Sequence, residues 1–113
     1  MKKYIIFIMV MLMLSPFVRI GEVHGESMKG TYEEGDKVLL ISTRVINPKL
    51  GDVVVFTATI NGEQVNVIHR IISVSRETSR IFTKGDNNDF VDNVELYEDN
   101  IKYVVIGGNK NEK

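Results

Sequence analysis

Ser27, His69 and an aspartate-rich loop could together carry out nucleophilic catalysis. A serine hydroxyl is a weak nucleophile and needs a positioned base. An imidazole, which titrates near neutral pH, can act as that base. The base in turn needs a carboxylate that holds its tautomer and stabilises the imidazolium. Serine, histidine and aspartate occur here in that chain order, with the acids in loop 83–92. The pattern therefore indicates a serine hydrolase.

Taken singly, each of these features also has an ordinary interpretation. Ser27 lies among glycines, as a solvated linker serine would. His69 shares an apolar strand face, where a histidine is commonly a core residue. Loop 83–92 is typical of a polar turn, and an EF-hand count from Asp86 fails because Tyr97 occupies the twelfth position, where a glutamate is required. His24 lies in the linker and is assigned no role.

The elements that must position these residues are mainly β-strands. Asn61-Gly62 predicts a type I′ turn between two of the strands. We expect a mostly β fold, a small antiparallel and partly closed β-barrel-like domain whose closure protects the strand edges. Residues rich in Val, Ile, Phe, Tyr and Thr predict strands over 37–42, 52–60, 63–76, 80–84 and 101–106.

The first twenty residues are predicted to form one N-terminal membrane helix. Lys2 and Lys3 precede an apolar run over 4–18, and Arg19 follows. The run covers about 22 Å as a helix, against a hydrocarbon core of about 30 Å. The lysines favour a single pass with the N-terminus inside. The predicted organisation is thus an anchor with a short cytoplasmic start (1–20), an extracytoplasmic β domain (21–108) and a polar tail (109–113).

A cleaved signal peptide is the competing interpretation of this segment. Val23 and Gly25 would occupy the −3 and −1 positions of a cleavage site, which leaves a secreted β protein that begins at Glu26. Both interpretations place the rest of the chain outside the cytoplasm.

Composition excludes several other functions. The chain has 113 residues, net charge −1 and no cysteine. The absence of cysteine excludes disulfides, a thiol nucleophile and zinc–thiolate sites. Basic and acidic residues are mixed, so no nucleic-acid partner is indicated. No cofactor or metal is implied, because a serine hydrolase needs none.

In combination, these residues resemble type I signal peptidases. That family has a Ser-Met-x-Pro-Thr box beyond an N-terminal anchor, two Gly-Asp segments that lead into strands, a strand with the base, and a Gly-Asp-Asn-Asn-x-x-x-Asp box. Histidine in the base-bearing strand resembles the archaeal and endoplasmic-reticulum subtype, whereas the common bacterial subtype has lysine. The matching segments are Ser27-Met28-Lys29-Gly30-Thr31, Gly35-Asp36, Gly51-Asp52, His69-Arg70-Ile71-Ile72 and 85–92.

The resemblance implies a membrane-anchored serine endopeptidase of the cell membrane that removes signal peptides from translocated preproteins after small residues. It implies Ser27 as nucleophile and His69 as general base, in a fold like that of signal peptidases and LexA. Asp92 is the first choice and Asp86 the second for orienting His69. Preprotein signal peptides are the implied substrates, and membrane lipid, the translocon or other subunits are candidate partners.

One departure from the family concerns the nucleophile box, where Gly30 replaces the usual proline. A glycine is conformationally permissive and could misplace Ser27. This departure and the short chain motivate a second hypothesis, an inactive or regulatory binding module that kept the fold. A self-cleaving repressor protease of the LexA kind is disfavoured, because neither a lysine in the base-bearing strand nor a helix-turn-helix pattern is present.

Overall fold

Six β-strands form the framework of the chain that the computed structural model describes, which is residue 5 and residues 15–109. The strands form one sheet in the order β1-β2-β6-β3-β4-β5, and every neighbouring pair is antiparallel. A 3-10 turn at Ser15–Phe17 precedes β1, and a second one at Glu98–Asn100 precedes β6. The strands are β1 Val18–Glu22, β2 Lys37–Ser42, β3 Val53–Ile60, β4 Glu63–Val74, β5 Ile81–Lys84 and β6 Ile101–Asn109.

The prediction of a mostly β, antiparallel fold is confirmed. Each of the five stretches rich in β-branched and aromatic residues contains one of the strands β2 to β6 or most of it. The turn between β3 and β4 is at Asn61-Gly62, where both residues have positive φ (53° and 82°), as a type I′ turn requires. This hairpin matters for the site because it fixes the register of β4, the strand that carries His69.

The prediction of a partly closed barrel is wrong. Within the described residues, β1 pairs with no strand but β2 and β5 with no strand but β4, so the two edge strands of the sheet do not pair with each other. The outer side of β5 is instead protected locally by an isolated bridge between Ile81 and Leu96. A short loop segment thus covers part of this edge, which removes the need for closure there.

The prediction of a membrane helix over 1–20 falls mainly on residues 1–4 and 6–14, which lie outside the described residues. Where the structure does describe this segment beyond Ile5, it is not helical in the predicted way. Ser15–Phe17 form a 3-10 turn that includes Pro16, and Val18–Glu22 pair with β2 as strand β1. Among the described residues, no helix is long and apolar enough to cross a bilayer.

Val23 shows that the segment before Ser27 is part of the fold. Its side chain is buried, its N–H donates to Asp36 O (2.9 Å), and its carbonyl accepts from Gly35 N (2.8 Å). Cleavage after Gly25 would therefore remove an edge strand and a core residue. The structure does not favour a secreted protein that begins at Glu26.

The core lies on both faces of the central strand β3. Its residues alternate between the faces, so Val54 and Phe56 pack into one cluster and Val55 into the other. β3 is flanked by β4 and β6 and is buried along most of its length, which makes it the rigid base for β4. The cluster of Val54 and Phe56 also contains Ala58, Ile71, Ile81, Leu96, Ile101 and Val104, and that of Val55 contains Val23, Val38 and Leu40.

Candidate functional site

Ser27 lies in a tight turn between β1 and β2. Backbone hydrogen bonds from Lys29 N to Glu26 O (3.1 Å) and from Tyr32 N to Met28 O (2.8 Å) close the turn around it. The side chain of Met28 is only 1% exposed and anchors the turn in the protein interior. The hydroxyl group of Ser27 therefore projects from a fixed backbone and not from a free linker.

The backbone of the 85–88 loop packs directly against this turn. Asn87 N donates to Ser27 O (2.8 Å), and Asn87 Nδ2 donates to Glu26 O (3.0 Å). Gly85 is so close that a Cβ atom there would lie 2.6 Å from Ser27 O and 3.0 Å from Ser27 Cβ. No residue with a Cβ atom fits at this distance, which is a steric reason for glycine as the first residue of the Gly-Asp-Asn-Asn segment.

His69 connects the turn around Ser27 to Asp92. Its Nε2 lies 3.0 Å from Ser27 Oγ, and its Nδ1 lies 2.5 Å from Asp92 Oδ2. Because an ionised carboxylate only accepts, Nδ1–H donates to Asp92 and Nε2 is left to accept from the serine hydroxyl. The imidazole is largely buried, and its ring meets the Phe56 ring edge-on with the centroids 6.4 Å apart. This geometry is that of a nucleophile, a base and an orienting acid.

Asp92 is held at two points by Thr83 of β5. Asp92 N donates to Thr83 O (2.9 Å), and Thr83 Oγ1 donates to Asp92 Oδ2 (2.8 Å). The loop between them is braced from inside, since Lys84 Nζ donates to Gly85 O (2.9 Å) and Asn88 O (2.7 Å). The ammonium group of Lys84 is thereby bound to carbonyl oxygens of its own loop.

Asp86 forms a separate ion pair with Arg70, the residue after His69. Arg70 Nε donates to Asp86 Oδ1 (2.9 Å) and Nη2 to Oδ2 (2.8 Å), while Thr31 Oγ1 also donates to Oδ2 (2.6 Å). The hydrogen bond from Arg70 holds the pKa of Asp86 below its usual value, and the same bond raises the pKa of Arg70. Arg70 Nη1 also donates to Gly51 O (2.8 Å). The pair therefore links three loops beneath the site.

A groove of about 630 Å³ leads along the sheet to Ser27 and His69. Residues from β1, β2, β3, β4 and β6 line it, and β1 is an open edge on one side. Its apolar walls include Val23, Met28, Leu40, Val55 and Ile68. A groove that runs beside an open strand edge can accept an extended peptide as an added strand.

The order of these residues and their geometry agree with the comparison with known protein families. Residues 1–99 match the family model described as "Signal peptidase, peptidase S26". The chain belongs to the signal peptidase family. No curated protein matches it. The match covers the turn around Ser27, β4 and the loop with both aspartates, so all four predicted site residues lie inside it. The prediction of the family is confirmed at this level.

The structure brings together three of the four predicted site residues of this signal peptidase. Ser27, His69 and Asp92 form one hydrogen-bonded chain, whereas the Asp86 carboxylate binds Arg70 and Thr31. Their catalytic roles stay predictions. Among the described residues, no three His, Asp or Glu side chains come together as metal ligands.

Sequence reasoning assigned no role to three residues that the structure places around the site. The position of Arg70 next to His69 was a usable signal, because neighbours on a strand point to opposite faces and can reach different loops. The proximity of Thr83 to Asp92 and of Gly85 to Ser27 depends on how the loop folds back, and the residue pattern contains no such signal.

We expect Gly85→Ala to destabilise the signal peptidase fold at the site. The added Cβ would overlap Ser27 O, and overpacking of this kind costs about 1–3 kcal/mol of unfolding free energy. Gly107→Ala is the matched control, because a Cβ there meets nothing within 4 Å, and should change stability by less than about 0.5 kcal/mol. Urea denaturation of the two variants checks this, and equal stability would contradict the close approach.

Gly30→Pro should damage the turn, although the family usually has proline here. Gly30 has φ +100°, which a proline cannot adopt, and its N–H donates to Glu33 Oε2 (3.1 Å). Gly30→Ala, which keeps the N–H, should cost about 1–2 kcal/mol for the left-handed conformation. Thermal or urea unfolding should rank wild type above the alanine variant and the alanine variant above the proline variant. A proline variant as stable as wild type would refute this turn geometry.

The Arg70–Asp86 pair predicts a specific acid sensitivity. A carboxyl group whose folded-state pKa is depressed adds stability above its unfolded pKa of about 3.9, and this stability is lost as pH falls through the folded value. We expect Arg70→Met to lower the free energy of unfolding by about 1–3 kcal/mol at pH 7. The deficit relative to wild type should shrink as the pH falls below the unfolded pKa of about 3.9.

Urea denaturation at pH 7 and pH 2.5 measures this effect. Lys37→Met provides the control, because the Lys37–Glu22 pair (3.1 Å) is exposed and screened by solvent, so its loss should leave the stability close to that of wild type. Equal deficits in the two variants, or an Arg70 deficit independent of pH, would show that the ion pair is not a stabilising link.

Proposed function

We propose that this chain is an active signal peptidase of the serine–histidine type, a serine endopeptidase that cleaves signal peptides from translocated preproteins. The observation that carries the proposal is the continuous hydrogen-bonded chain Ser27 Oγ, His69 Nε2, His69 Nδ1 and Asp92 Oδ2. In the common bacterial type a lysine is the base, whereas here His69 occupies that position. The ammonium group of Lys84 donates to carbonyl oxygens of its own loop and so does not replace His69 as the base.

In the proposed reaction, Ser27 Oγ attacks the carbonyl carbon of the scissile peptide bond. His69 Nε2 accepts the hydroxyl proton and then donates it to the leaving amine, and Asp92 stabilises the imidazolium that forms between these steps. Water, deprotonated by the same imidazole, then hydrolyses the acyl-enzyme. The 3.0 Å distance from Nε2 to Oγ is already suited to the first proton transfer.

The oxyanion of the tetrahedral intermediate would be stabilised by backbone donors. The backbone N–H of Ser27 is next to the hydroxyl and donates no hydrogen bond within the described part of the chain. Gly25, two residues before, has no side chain that could add a second donor. The proposal therefore depends on main-chain amides at a turn that Met28 and Gly85 hold rigid.

The groove supports an extended peptide as the substrate. The substrate would bind as an added strand along the open edge of β1, where it gains backbone hydrogen bonds irrespective of its sequence. Val23, Met28 and Ile68 line the groove that also contains Ser27, and these apolar walls would contact the side chains on either side of the scissile bond. Preprotein signal peptides are therefore the proposed substrate class.

We further propose a membrane tether with the N-terminus inside and the β domain outside. Its support is the sequence: Lys2 and Lys3 precede an apolar run. Membrane lipid is then a partner, and contact with a translocon or other subunits follows from the same location.

An inactive binding module is the competing hypothesis, and it was motivated by Gly30. The structure offers it little support, because Gly30 adopts a φ value that favours glycine and the nucleophile turn around it is closed by hydrogen bonds. Measured cleavage decides between the two.

The test follows cleavage of a preprotein with alanine at −1 and −3 by the full chain in membranes. Ser27→Ala and His69→Ala should each slow cleavage on the order of 10⁴- to 10⁶-fold, and Asp92→Asn about 10⁴-fold. Ser73→Ala is the matched control, because Ser73 is an exposed serine that does not line the groove, and it should cleave like wild type. If wild type is folded and membrane-bound but cleaves nothing, the binding module becomes the better account.

A further inference from the structure

Thr83 is a buried hydroxyl that the proposed reaction does not use. It is 1% exposed, and β5 alternates so that Ile81 and Thr83 point inward. Thr83 pairs with Ile71, which lies two residues after His69 on β4 and is buried as His69 is. The fold thus places a hydroxyl group one strand away from the imidazole.

The Thr83 hydroxyl donates to the same oxygen that His69 contacts. Asp92 Oδ2 accepts from Thr83 Oγ1 at 2.8 Å and from His69 Nδ1 at 2.5 Å. Two donors from two different strands define the direction in which this oxygen points. With His69 as its one donor, the carboxylate could rotate about its Cβ–Cγ bond, and Oδ2 would lose its alignment with His69 Nδ1.

The backbone shows that this contact belongs to a fixed unit. Asp92 N donates to Thr83 O at 2.9 Å, so the residue is attached to β5 through both its main chain and its side chain. Asp92 otherwise follows a loop whose residues Phe90 and Val91 are exposed. The two hydrogen bonds to Thr83 thus fix the position of Asp92 relative to the sheet.

From this geometry we propose that Thr83 is a positioning residue, which holds Asp92 in the orientation that His69 needs. The inference rests on the proposed serine–histidine function. Thr83 does not line the groove and acts only through Asp92. Its loss should therefore reduce the rate of the chemical step and leave substrate binding unchanged.

The decisive comparison is Thr83→Val with Thr83→Ser in the full chain. Valine has the shape of threonine without the hydroxyl, and serine keeps the hydroxyl without the methyl group. Thr83→Val should lower kcat about 10- to 100-fold, the range for a lost hydrogen bond to a charged group, with KM unchanged. Thr83→Ser should stay within about threefold of wild type. Thr59→Val, an exposed threonine of β3, should cleave like wild type.

Comparison of the two variants separates positioning from mere packing. A role in packing alone follows the lost volume, so Thr83→Ser, which lacks the methyl group, would be the more damaged variant. A positioning role follows the hydroxyl group, so Thr83→Val should lose kcat and Thr83→Ser should keep it, with KM unchanged in both.

The proposal is overturned if Thr83→Val retains wild-type kcat, or if the serine and valine variants lose activity equally. If the valine variant does not fold, Thr83→Ala carries the test and should lose activity as expected for valine. Wild-type cleavage that is abolished by Ser27→Ala establishes the protease in the same assay. A wild type that cleaves nothing refutes the proposed function, whereas a wild type that cleaves with an equally active Thr83→Val refutes this inference alone.

Discussion

The close approach of Gly85 to the Ser27 backbone is the constraint on which the rest of the site depends. The two segments come from opposite parts of the sheet, since Ser27 follows the edge strand β1 and Gly85 follows the other edge strand β5. Their contact brings the ends of both edges together without strand pairing between them. It also places the nucleophile within reach of His69 on β4, the neighbour of β5. An open sheet can thus build a site that involves both of its edges.

Arg70 separates the roles of the two aspartates by charge. His69 and Arg70 are consecutive on β4 and point to opposite sides, so one meets Asp92 and the other meets Asp86. The bidentate bond stabilises the ionised form of Asp86 and commits its carboxylate to a structural link. Asp92 is left to interact with the imidazole. The two acids of one loop therefore have different partners because two neighbouring side chains on one strand diverge.

The strands and the hairpin could be predicted from local sequence patterns, whereas the features that depend on contacts between distant segments could not. β-branched runs and Asn61-Gly62 indicated five strands and a hairpin, because those signals lie within a few residues. The missed strand β1 contains Arg19, Gly21 and Glu22 and continues an apolar run, so its pairing with β2 had no local signal. The open sheet was missed for a similar reason, since edge protection by Leu96 is a contact between distant segments. The choice between Asp86 and Asp92 needed the position of Arg70 in space.

Gly30 shows that the turn around Ser27 does not require the proline that the family usually has at this position. A proline would fix φ near −65° and would have no N–H. Gly30 instead adopts φ +100°, and its N–H donates a hydrogen bond to the Glu33 carboxylate. The freedom of the glycine is removed by its surroundings: the backbone bonds of the turn, the buried Met28 side chain and the contact of Ser27 with Gly85. Rigidity at the nucleophile is thus a property of the packed turn and not of one residue in the box. A departure from the sequence pattern of the family is therefore compatible with the geometry that its chemistry requires.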